Sequence, residues 1–435
     1  MRVLFVTASY LPESVGGVEL HVAGLARSVQ AAGHDAVVLA RTGRDGVAHL
    51  SLVRDEVEGV PVLRLSNTFE DATTFESMYV HTGIEDRFVD VLDEVKPDVV
   101  HVHHLTCLSV SILDRLRARG IPTVMTLHDF WMGCPRGQRI TAELELCPDI
   151  QLEKCVPCLR ELWPHLLGPG RAPGASTEEQ DAGDRTLLED YHAAMHRVLN
   201  GVDVLVTPSL FMRRMYEAYG VPAGQIRVVE NGLPVNRFDT VQSARRGTGP
   251  LRIGFIGSVL PSKGVHLLLE AVRRLGDPSS MRLDVWGEVL PFHHDHAYGK
   301  RLEALRSGFE SVIELHGRYD NEDVPEILDS FDVVVVPSIW YEAYALTLRE
   351  AFLRGVPVVT ANHGAMAEAV EDGVNGLLFE AGDEASLALV LRRLVDDREL
   401  LERLARSAHR VRDEADAAAE LLGIYEHALS GRSCS

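Results

Sequence analysis

Two glutamates in the second half of the sequence, Glu342 and Glu350, have the type and the spacing to bind paired hydroxyl groups. Glu342 comes shortly after the apolar run of residues 333–338, which predicts a buried strand followed by a loop. Glu350 lies about two turns further along, inside the predicted helix. Because ionised carboxylates accept hydrogen bonds well, the pair suits one extended ligand that carries both a sugar and a ribose.

The backbone between these glutamates and a lysine earlier in the chain predict an anion site. Five consecutive N–H groups would lie at the positive end of the helix, where a diphosphate binds; they belong to Ala343, Tyr344, Ala345, Leu346 and Thr347. Lys263 follows the predicted strand of residues 252–257 and opens a helix. Its ammonium would therefore reinforce the positive end of that helix.

Two positions in the first half of the chain are further candidates. Gly16 and Gly17 supply a tight turn at which backbone approaches a ligand, just before a predicted helix. His128 ends the predicted strand of residues 123–127. It thus lies at a carboxyl end of the sheet, where doubly wound folds bind ligands, and its imidazole can donate a hydrogen bond to a sugar hydroxyl.

Three more histidines, His101, His103 and His104, lie close to the end of another predicted strand. Successive side chains of a strand point to opposite faces. All three therefore cannot face one site, and no metal site is predicted from them.

Four of the six cysteines are clustered, at Cys134, Cys147, Cys155 and Cys158. The last two have the two-residue spacing that tetrahedral zinc favours. In a reducing compartment such a cluster indicates metal ligands rather than disulfides, so structural zinc is the favoured interpretation. An iron–sulfur cluster, disulfides and free thiols remain the alternatives.

Length and composition fit two globular domains. The 435 residues are 46% apolar and 25% charged, and no run reaches the ~18 apolar residues of a membrane span. The net charge of -21 disfavours nucleic acid and anionic membranes as partners. The sequence begins directly with a strand-like run and without a secretory cleavage pattern. We therefore expect a cytoplasmic protein without stable membrane association.

Apolar runs alternate with amphipathic stretches in both halves, which predicts an α/β fold with parallel sheets. In the first half the predicted strands are residues 2–7, 36–40, 99–103, 123–127 and 204–207; in the second they begin at 251, 283, 312, 333 and 356. The predicted domains are residues 1–232 and 250–410, with a final helix over 411–435. Residues 168–184 are predicted to form an exposed loop.

The order of these motifs along nearly the whole chain resembles retaining glycosyltransferase family 4. This resemblance implies the GT-B architecture, two facing Rossmann-like doubly wound domains with the site in the cleft, and a C-terminal helix that crosses back to the first domain. The motifs that carry it are Gly16-Gly17-Val18-Glu19, Asn231-Gly232, Gly257 with Lys263-Gly264, Pro337-Ser338, Glu342, Glu350-Ala351, residues 355–359, Glu368, Asp372-Gly373 and Asn375-Gly376-Leu377.

The resemblance also assigns roles to individual residues. It implies that Glu350 binds the ribose hydroxyls, Glu342 a hydroxyl of the donor sugar, and Lys263 the diphosphate. His128 would face the donor sugar and the acceptor. The turn at Gly16 would reach the donor phosphate or the acceptor when the domains close.

The sequence departs from the family pattern at two places. Many relatives have Arg where this chain has Ser258, so one of two expected phosphate cations is missing, and Arg136 or Arg318 is a candidate replacement. Relatives often have Gly at the positions of Ala343 and Ala345. The two methyl groups narrow the loop at the donor sugar, so the identity of that sugar stays open.

A subset of the family is similar to this chain at the cysteines as well, where Cys134-Pro135-Arg136 follows the strand that ends at His128. The cluster would then fix an insertion of residues 134–158 beside the acceptor site without taking part in the chemistry. Together with the loop 168–184, this insertion is where we expect acceptor choice to be made.

The resulting hypothesis is transfer of a sugar from a nucleoside diphosphate to an acceptor hydroxyl, with retention and without a metal. The acceptor would be a soluble small molecule or a natural product. The alternatives are a sugar-nucleotide epimerase or a disaccharide phosphorylase on the same fold, and a non-catalytic protein that binds sugar nucleotides.

Overall fold

The computed structural model describes residues 1–168, 176–239, 249–292, 296–407 and 411–432, and the chain divides into two α/β units. Unit 1 comprises Met1–Gln138, Pro148–Leu233 and Arg412–Ser435. Unit 2 comprises Arg139–Cys147 and Pro234–Val411. The predicted first domain of residues 1–232 therefore differs from unit 1 at the segment Arg139–Cys147, whose contacts group it with unit 2.

Unit 1 is built on one sheet of eight strands. They are β1 (Arg2–Thr7), β2 (Asp35–Thr42), β3 (Leu52–Val57), β4 (Val60–Ser66), β5 (Val99–Val102), β6 (Thr123–Thr126), β7 (Val204–Thr207) and β8 (Ile226–Val228). Their order is β3-β4-β2-β1-β5-β6-β7-β8, and neighbours pair in parallel except in the hairpin β3–β4. The central strands are buried on both faces, which explains why they read as continuous apolar runs.

Helices cover the sheet of unit 1. They are α1 (Gly17–Ala31), α2 (Thr82–Val95), α3 (Ile112–Ala118), α4 (Leu152–Leu162), α5 (Thr177–Gly201), α6 (Leu210–Ala218) and α14 (Glu414–Arg432). The last of these returns from the end of the chain to pack on α1 and β6, and its Leu421 and Tyr425 complete the core of unit 1. Among the described residues, no helix has both the length and the apolar character that crossing a membrane requires.

Unit 2 has a six-stranded, fully parallel sheet. Its strands are β9 (Leu251–Ile256), β10 (Met281–Trp286), β11 (Ile313–Gly317), β12 (Val333–Val336), β13 (Val358–Ala361) and β14 (Gly376–Phe379), in the order β11-β10-β9-β12-β13-β14. Its helices are α7 (Val265–Leu275), α8 (Tyr298–Arg306), α9 (Val324–Asp329), α10 (Leu346–Leu353), α11 (Gly364–Ala369), α12 (Glu384–Asp396) and α13 (Arg398–Arg406). The two parallel α/β sheets confirm the predicted fold class.

The predicted loop over residues 168–184 is wrong for its second part. Residues 169–175 lie outside the described residues, but α5 begins at Thr177. Ser176 and Glu179 form a capping box, in which each side chain accepts a hydrogen bond from the backbone of the other residue. This local signal starts the helix although the preceding Gly- and Pro-rich sequence suggests a loop.

The strand order reverses once in each unit, and open α/β sheets bind ligands at such a point. In unit 1 the reversal lies between β1 and β5, so the segments after β1, β5 and β6 meet at one edge of the sheet. In unit 2 it lies between β9 and β12. The predicted site residues fall on these segments in both units.

Candidate functional site

In unit 2 the segment after β9 is fixed against the segment after β12. Lys263 ends a single 3-10 turn, and the backbone N–H of Ile339 donates to the Ser262 carbonyl at 2.8 Å. Gly264 has φ +71°, and a Cβ there would lie 2.0 Å from the carbonyl oxygen of Pro337. Only glycine fits this position, which explains the Lys-Gly sequence and fixes where Lys263 points.

Glu342 is the centre of the hydrogen bonds in this site. Its Oε1 accepts from Lys263 Nζ at 2.7 Å, from Ser338 Oγ at 2.6 Å and from Trp340 Nε1 at 2.9 Å. Burial alone would raise the pKa of Glu342, but the Lys263 ammonium and these hydrogen bonds outweigh it, so the pKa lies below its usual value. Glu342 is therefore an ionised, buried and fixed carboxylate.

The structure joins Lys263 and Glu342 in one ion pair, although the sequence assigned them to different parts of a ligand. The Lys263 ammonium also lies 5.1 Å from the ring centre of Trp340, a cation–π contact that sequence reasoning missed. In the described part of the chain the hydrogen bonds of Glu342 all reach Oε1. Oε2 accepts none of these hydrogen bonds.

Glu350 lies inside α10, as predicted. Burial raises the pKa of Glu350 to about 7, and the Arg237 guanidinium opposes that rise. The same two groups act on the hydroxyl of Tyr319, whose pKa burial raises to about 12. Glu350 therefore shares its surroundings with an arginine and a tyrosine that the sequence did not indicate.

Arg237 is the cation that sequence reasoning missed. It donates from Nη2 to the Asn321 carbonyl at 2.9 Å, and its buried Nε has no hydrogen-bond partner among the described residues. Of the two candidates considered to replace an arginine at Ser258, Arg318 is exposed and Arg136 belongs to unit 1. Arg237 falls between the two predicted domains, residues 1–232 and 250–410, where no motif marked it.

The N-terminus of α10 follows an unusual turn. Ala345, its N-cap residue, has φ +52° and ψ +76°, in the left-handed region. Tyr344 is buried, and the Arg349 guanidinium lies over its ring at 3.4 Å and donates to its carbonyl. The backbone of Leu346 and Thr347 opens the helix beyond this turn. At position 345 relatives often have Gly. This chain has an alanine there, in a backbone conformation that favours glycine.

We predict that Ala345→Gly raises the free energy of unfolding by about 0.5–1 kcal/mol, because it removes the cost of a Cβ at positive φ. Ala343→Gly is the matched control, since Ala343 is not among the residues with positive φ. It should lower the same quantity by a similar amount through the entropy of the unfolded chain. Urea unfolding measures both, and shifts of the same sign would contradict the assigned backbone conformation.

In unit 1 the glycine turn opens α1. The helix begins at Gly17, with Gly16 extended before it. Glu19 accepts hydrogen bonds from the hydroxyls of Ser9 and Ser14. A Cβ on Gly16 would lie 2.7 Å from Glu19 Oε2, so Gly16 leaves room for the carboxylate that holds the loop after β1.

The other side of this loop is held by Arg64, which is fully buried. Its Nη2 donates to the Leu11 carbonyl at 2.5 Å, and its Nη1 lies 3.2 Å from Glu13 Oε1. Glu13 also accepts from the Thr42 hydroxyl at 2.8 Å. Two buried charged side chains, Arg64 and Glu19, thus hold the loop that leads to Gly16. Glu19 belongs to a motif seen in the sequence, whereas Arg64 does not.

His128 lies just after β6, as predicted, in a group of buried histidines. Its Nε2 is 2.9 Å from Nδ1 of His103, and the His21 ring from α1 stacks edge-on against it at 5.2 Å. Burial lowers the pKa of His21 to about 4 and holds the pKa of both His103 and His128 well below the usual range. All three are neutral imidazoles at physiological pH.

The other two histidines at the end of β5 have partners of their own, although the His101 ring also lies 4.0 Å from that of His103, on the same face of the strand. His101 bonds the Tyr425 hydroxyl at 2.6 Å and the Thr126 hydroxyl at 2.7 Å. His104 bonds Asp129 at 2.8 Å. Their ring nitrogens are therefore used in the packing of unit 1.

The structure places the four cysteines on three segments. Cys155 and Cys158 lie one turn apart on α4, and Cys134 lies in the turns after β6. Cys147 belongs to the segment grouped with unit 2. Arg136 Nη1 approaches Cys158 Sγ at 3.6 Å, which brings the turns after β6 to α4. The zinc assignment stays a prediction.

Comparison with known proteins places this geometry in a family. Residues 15–237, just over half of the chain, match the family model described as Glycosyltransferase Family 4. Residues 236–411 match the model described as Glycosyl transferases group 1.

Individual relatives are similar over most of their length. Glycogen synthase from Mycobacterium tuberculosis is 28% identical over 94% of this chain and 89% of its own. Mannosylfructose-phosphate synthase from Agrobacterium fabrum is 24% identical over 88% and 85%. Anabaena HepE, solved in complex with UDP and glucose, superposes with a TM-score of 0.67 at 18% identity and covers 98% of this chain and 100% of its own.

The structural likeness shows the GT-B fold, with its two α/β units on parallel sheets. The family model covers the part of the chain that holds the glycine turn and the histidines, and the second model covers Lys263, Glu342 and Glu350. The chain therefore belongs to glycosyltransferase family 4.

Proposed function

We propose that this glycosyltransferase moves a sugar from a nucleoside diphosphate to an acceptor hydroxyl with retention of configuration. The observation that carries the proposal is the Lys263–Glu342 pair at the strand reversal of unit 2, beside the N-terminus of α10. One cation, one fixed carboxylate and a helix terminus match a diphosphate joined to a sugar. That HepE was solved with UDP and glucose supports a sugar-nucleotide donor.

In the proposed reaction the bond between the sugar and the diphosphate breaks as the acceptor oxygen attacks from the same face. Lys263 and the N–H groups that open α10 stabilise the charge on the leaving diphosphate, whose oxygen takes the acceptor proton. Glu342 Oε2 accepts from a sugar hydroxyl, and Glu350 accepts from the ribose. No step of this scheme requires a metal ion.

A donor screen tests the proposal. The full chain is heated with UDP, GDP, ADP or TDP, and the nucleotide that binds should raise the melting temperature, with about 2.7 kcal/mol of stabilisation at a hundredfold excess over Kd. The matching labelled sugar nucleotide is then incubated with and without acceptors, and with and without inorganic phosphate. Release of nucleotide only with an acceptor supports transfer, whereas free epimer or sugar phosphate would support the rival reactions. Binding without any release would favour a non-catalytic protein.

For the acceptor we propose a soluble small molecule or natural product, because the net charge of -21 disfavours an anionic membrane surface. The test is mass spectrometry of products formed from the cognate donor and cell extract, separated into aqueous and lipid fractions. A product in the lipid fraction alone would contradict the proposal.

For Cys134, Cys147, Cys155 and Cys158 we propose a structural zinc ion. We predict about one zinc per chain that survives gel filtration in EDTA, measured by elemental analysis. Cys158→Ser should lose it, whereas Cys107→Ser, a cysteine outside the cluster, should keep it. Iron in place of zinc, or a metal-free parent protein, would reject this assignment.

A further inference from the structure

Three histidines from three elements of unit 1 converge at the strand reversal. His21 comes from α1, His103 from the end of β5 and His128 from the end of β6. One ring nitrogen of each lies within 4.8 Å of the other two, and their ring centres are 5.2–5.6 Å apart. In the sequence, strand alternation argued against one site made of His101, His103 and His104. The present group takes only His103 from the end of β5, and its other two members come from α1 and β6.

The hydrogen bonding of the group is incomplete. His103 Nδ1 and His128 Nε2 are 2.9 Å apart, a distance at which two ring nitrogens share one proton. The other nitrogen of His103, Nε2, is buried and has no hydrogen-bond partner in the described part of the chain. His103 itself is only 1% exposed. A buried nitrogen without a partner costs free energy, and a metal ion is a partner that would remove that cost.

A second histidine group in unit 1 has different partners, although Nε2 of its His49 is likewise buried without a hydrogen-bond partner among the described residues. His49 and His81 flank Asp71, with Nε2–Oδ distances of 3.2 and 3.0 Å. Their Nδ1 atoms accept from the backbone N–H of Thr68 and Ile84, respectively. Both Nδ1 atoms are thus occupied by backbone donors, and the opposite edges of the two rings face a carboxylate rather than a third imidazole.

We propose that His21, His103 and His128 bind a divalent transition-metal ion of the zinc type. Three neutral imidazoles supply three tetrahedral ligands and leave one position open. The ligand group contains no carboxylate, so the ion keeps its charge of two and the open position accepts water or an anionic oxygen. One consequence rests on the proposed function. An ion bound to His128 would prevent this imidazole from donating a hydrogen bond to the donor sugar, and it would therefore inhibit transfer.

Cobalt(II) is the probe, because its absorption distinguishes nitrogen from sulfur ligands. The full chain is stripped with EDTA, which leaves the cysteines with any tightly held ion, and titrated with Co²⁺. Visible d–d bands without a thiolate charge-transfer band are expected. His21→Gln should weaken binding at least about tenfold, whereas His81→Asn, which keeps an N-cap residue before α2, should not change it.

Two outcomes would overturn the site. One is unchanged Co²⁺ affinity in a His21→Gln protein whose circular dichroism matches the parent; the other is a parent spectrum without d–d bands apart from those of cobalt bound to thiolates, which needs no variant to be folded. Inhibition is measured separately, as nucleotide release with and without Zn²⁺. Binding without inhibition would support the metal site and count against a role of His128 in transfer.

Discussion

Lys263→Met should lower the rate of sugar transfer by roughly 10²–10³-fold, the usual effect of removing one donor that stabilises a developing anion. Methionine keeps an unbranched, flexible side chain at this position without the charge. Donor affinity should fall less than the rate, because the charge on the diphosphate grows as the bond to the sugar breaks. Initial rates of nucleotide release and donor titrations separate the two effects.

The control is Lys300→Met, which removes a lysine from the exposed surface of α8 and should change neither quantity. A loss of less than about threefold for Lys263→Met would contradict the assigned role. The double variant with Glu342→Gln adds a second test. Since the two side chains share a hydrogen bond, their effects should be clearly less than additive.

The positions of Lys263, Glu342 and Glu350 on their elements followed from local sequence. A run of apolar β-branched residues predicts the strand, and the loop and helix that follow place each side chain at the carboxyl end of the sheet. The loop before α10 lies where the sequence predicted it, but its left-handed Ala345 does not follow from the sequence, because an alanine carries no signal of that conformation.

The contacts that the sequence did not predict are those between distant segments. Lys263 meets Glu342 across two loops, and His21 meets His128 from another element. Nothing in the composition of a single segment marks such a pair, because burial and approach are decided by the packing of the sheet. The edge hairpin β3–β4 was missed for a related reason. Two of the six residues of β3 are exposed and none is buried, and the buried strand β4 is interrupted by Pro61 and Arg64, so neither has the continuous apolar run of the central strands.

The second large effect is expected at Glu350, where stability and function oppose each other. Burial raises its pKa from 4.5 to about 7 in the folded protein. The folded state then binds more protons than the unfolded state between these pH values, so the free energy of unfolding falls as the pH rises through that window. Glu350→Gln removes the titration. It should make the free protein more stable than the parent at pH 8, by roughly 1–3 kcal/mol, and this gain should shrink as the pH is lowered towards 4.5.

The same substitution should weaken donor binding by about 10–100-fold, because a neutral amide replaces a carboxylate that accepts from the ribose hydroxyls. Donor affinity of the parent should rise with pH through about 7, since the ionised carboxylate is the better acceptor, and that of Glu350→Gln should not.

Glu326→Gln, on the exposed side of α9, is the control for both measurements. A variant that is stabilised but binds the donor unchanged would confirm the burial of Glu350 and reject its contact with the nucleotide. A variant that loses donor binding without gaining stability at pH 8 would confirm the contact of Glu350 with the nucleotide and reject its burial. Titration calorimetry and urea unfolding at pH 5 and pH 8 therefore decide the two claims independently.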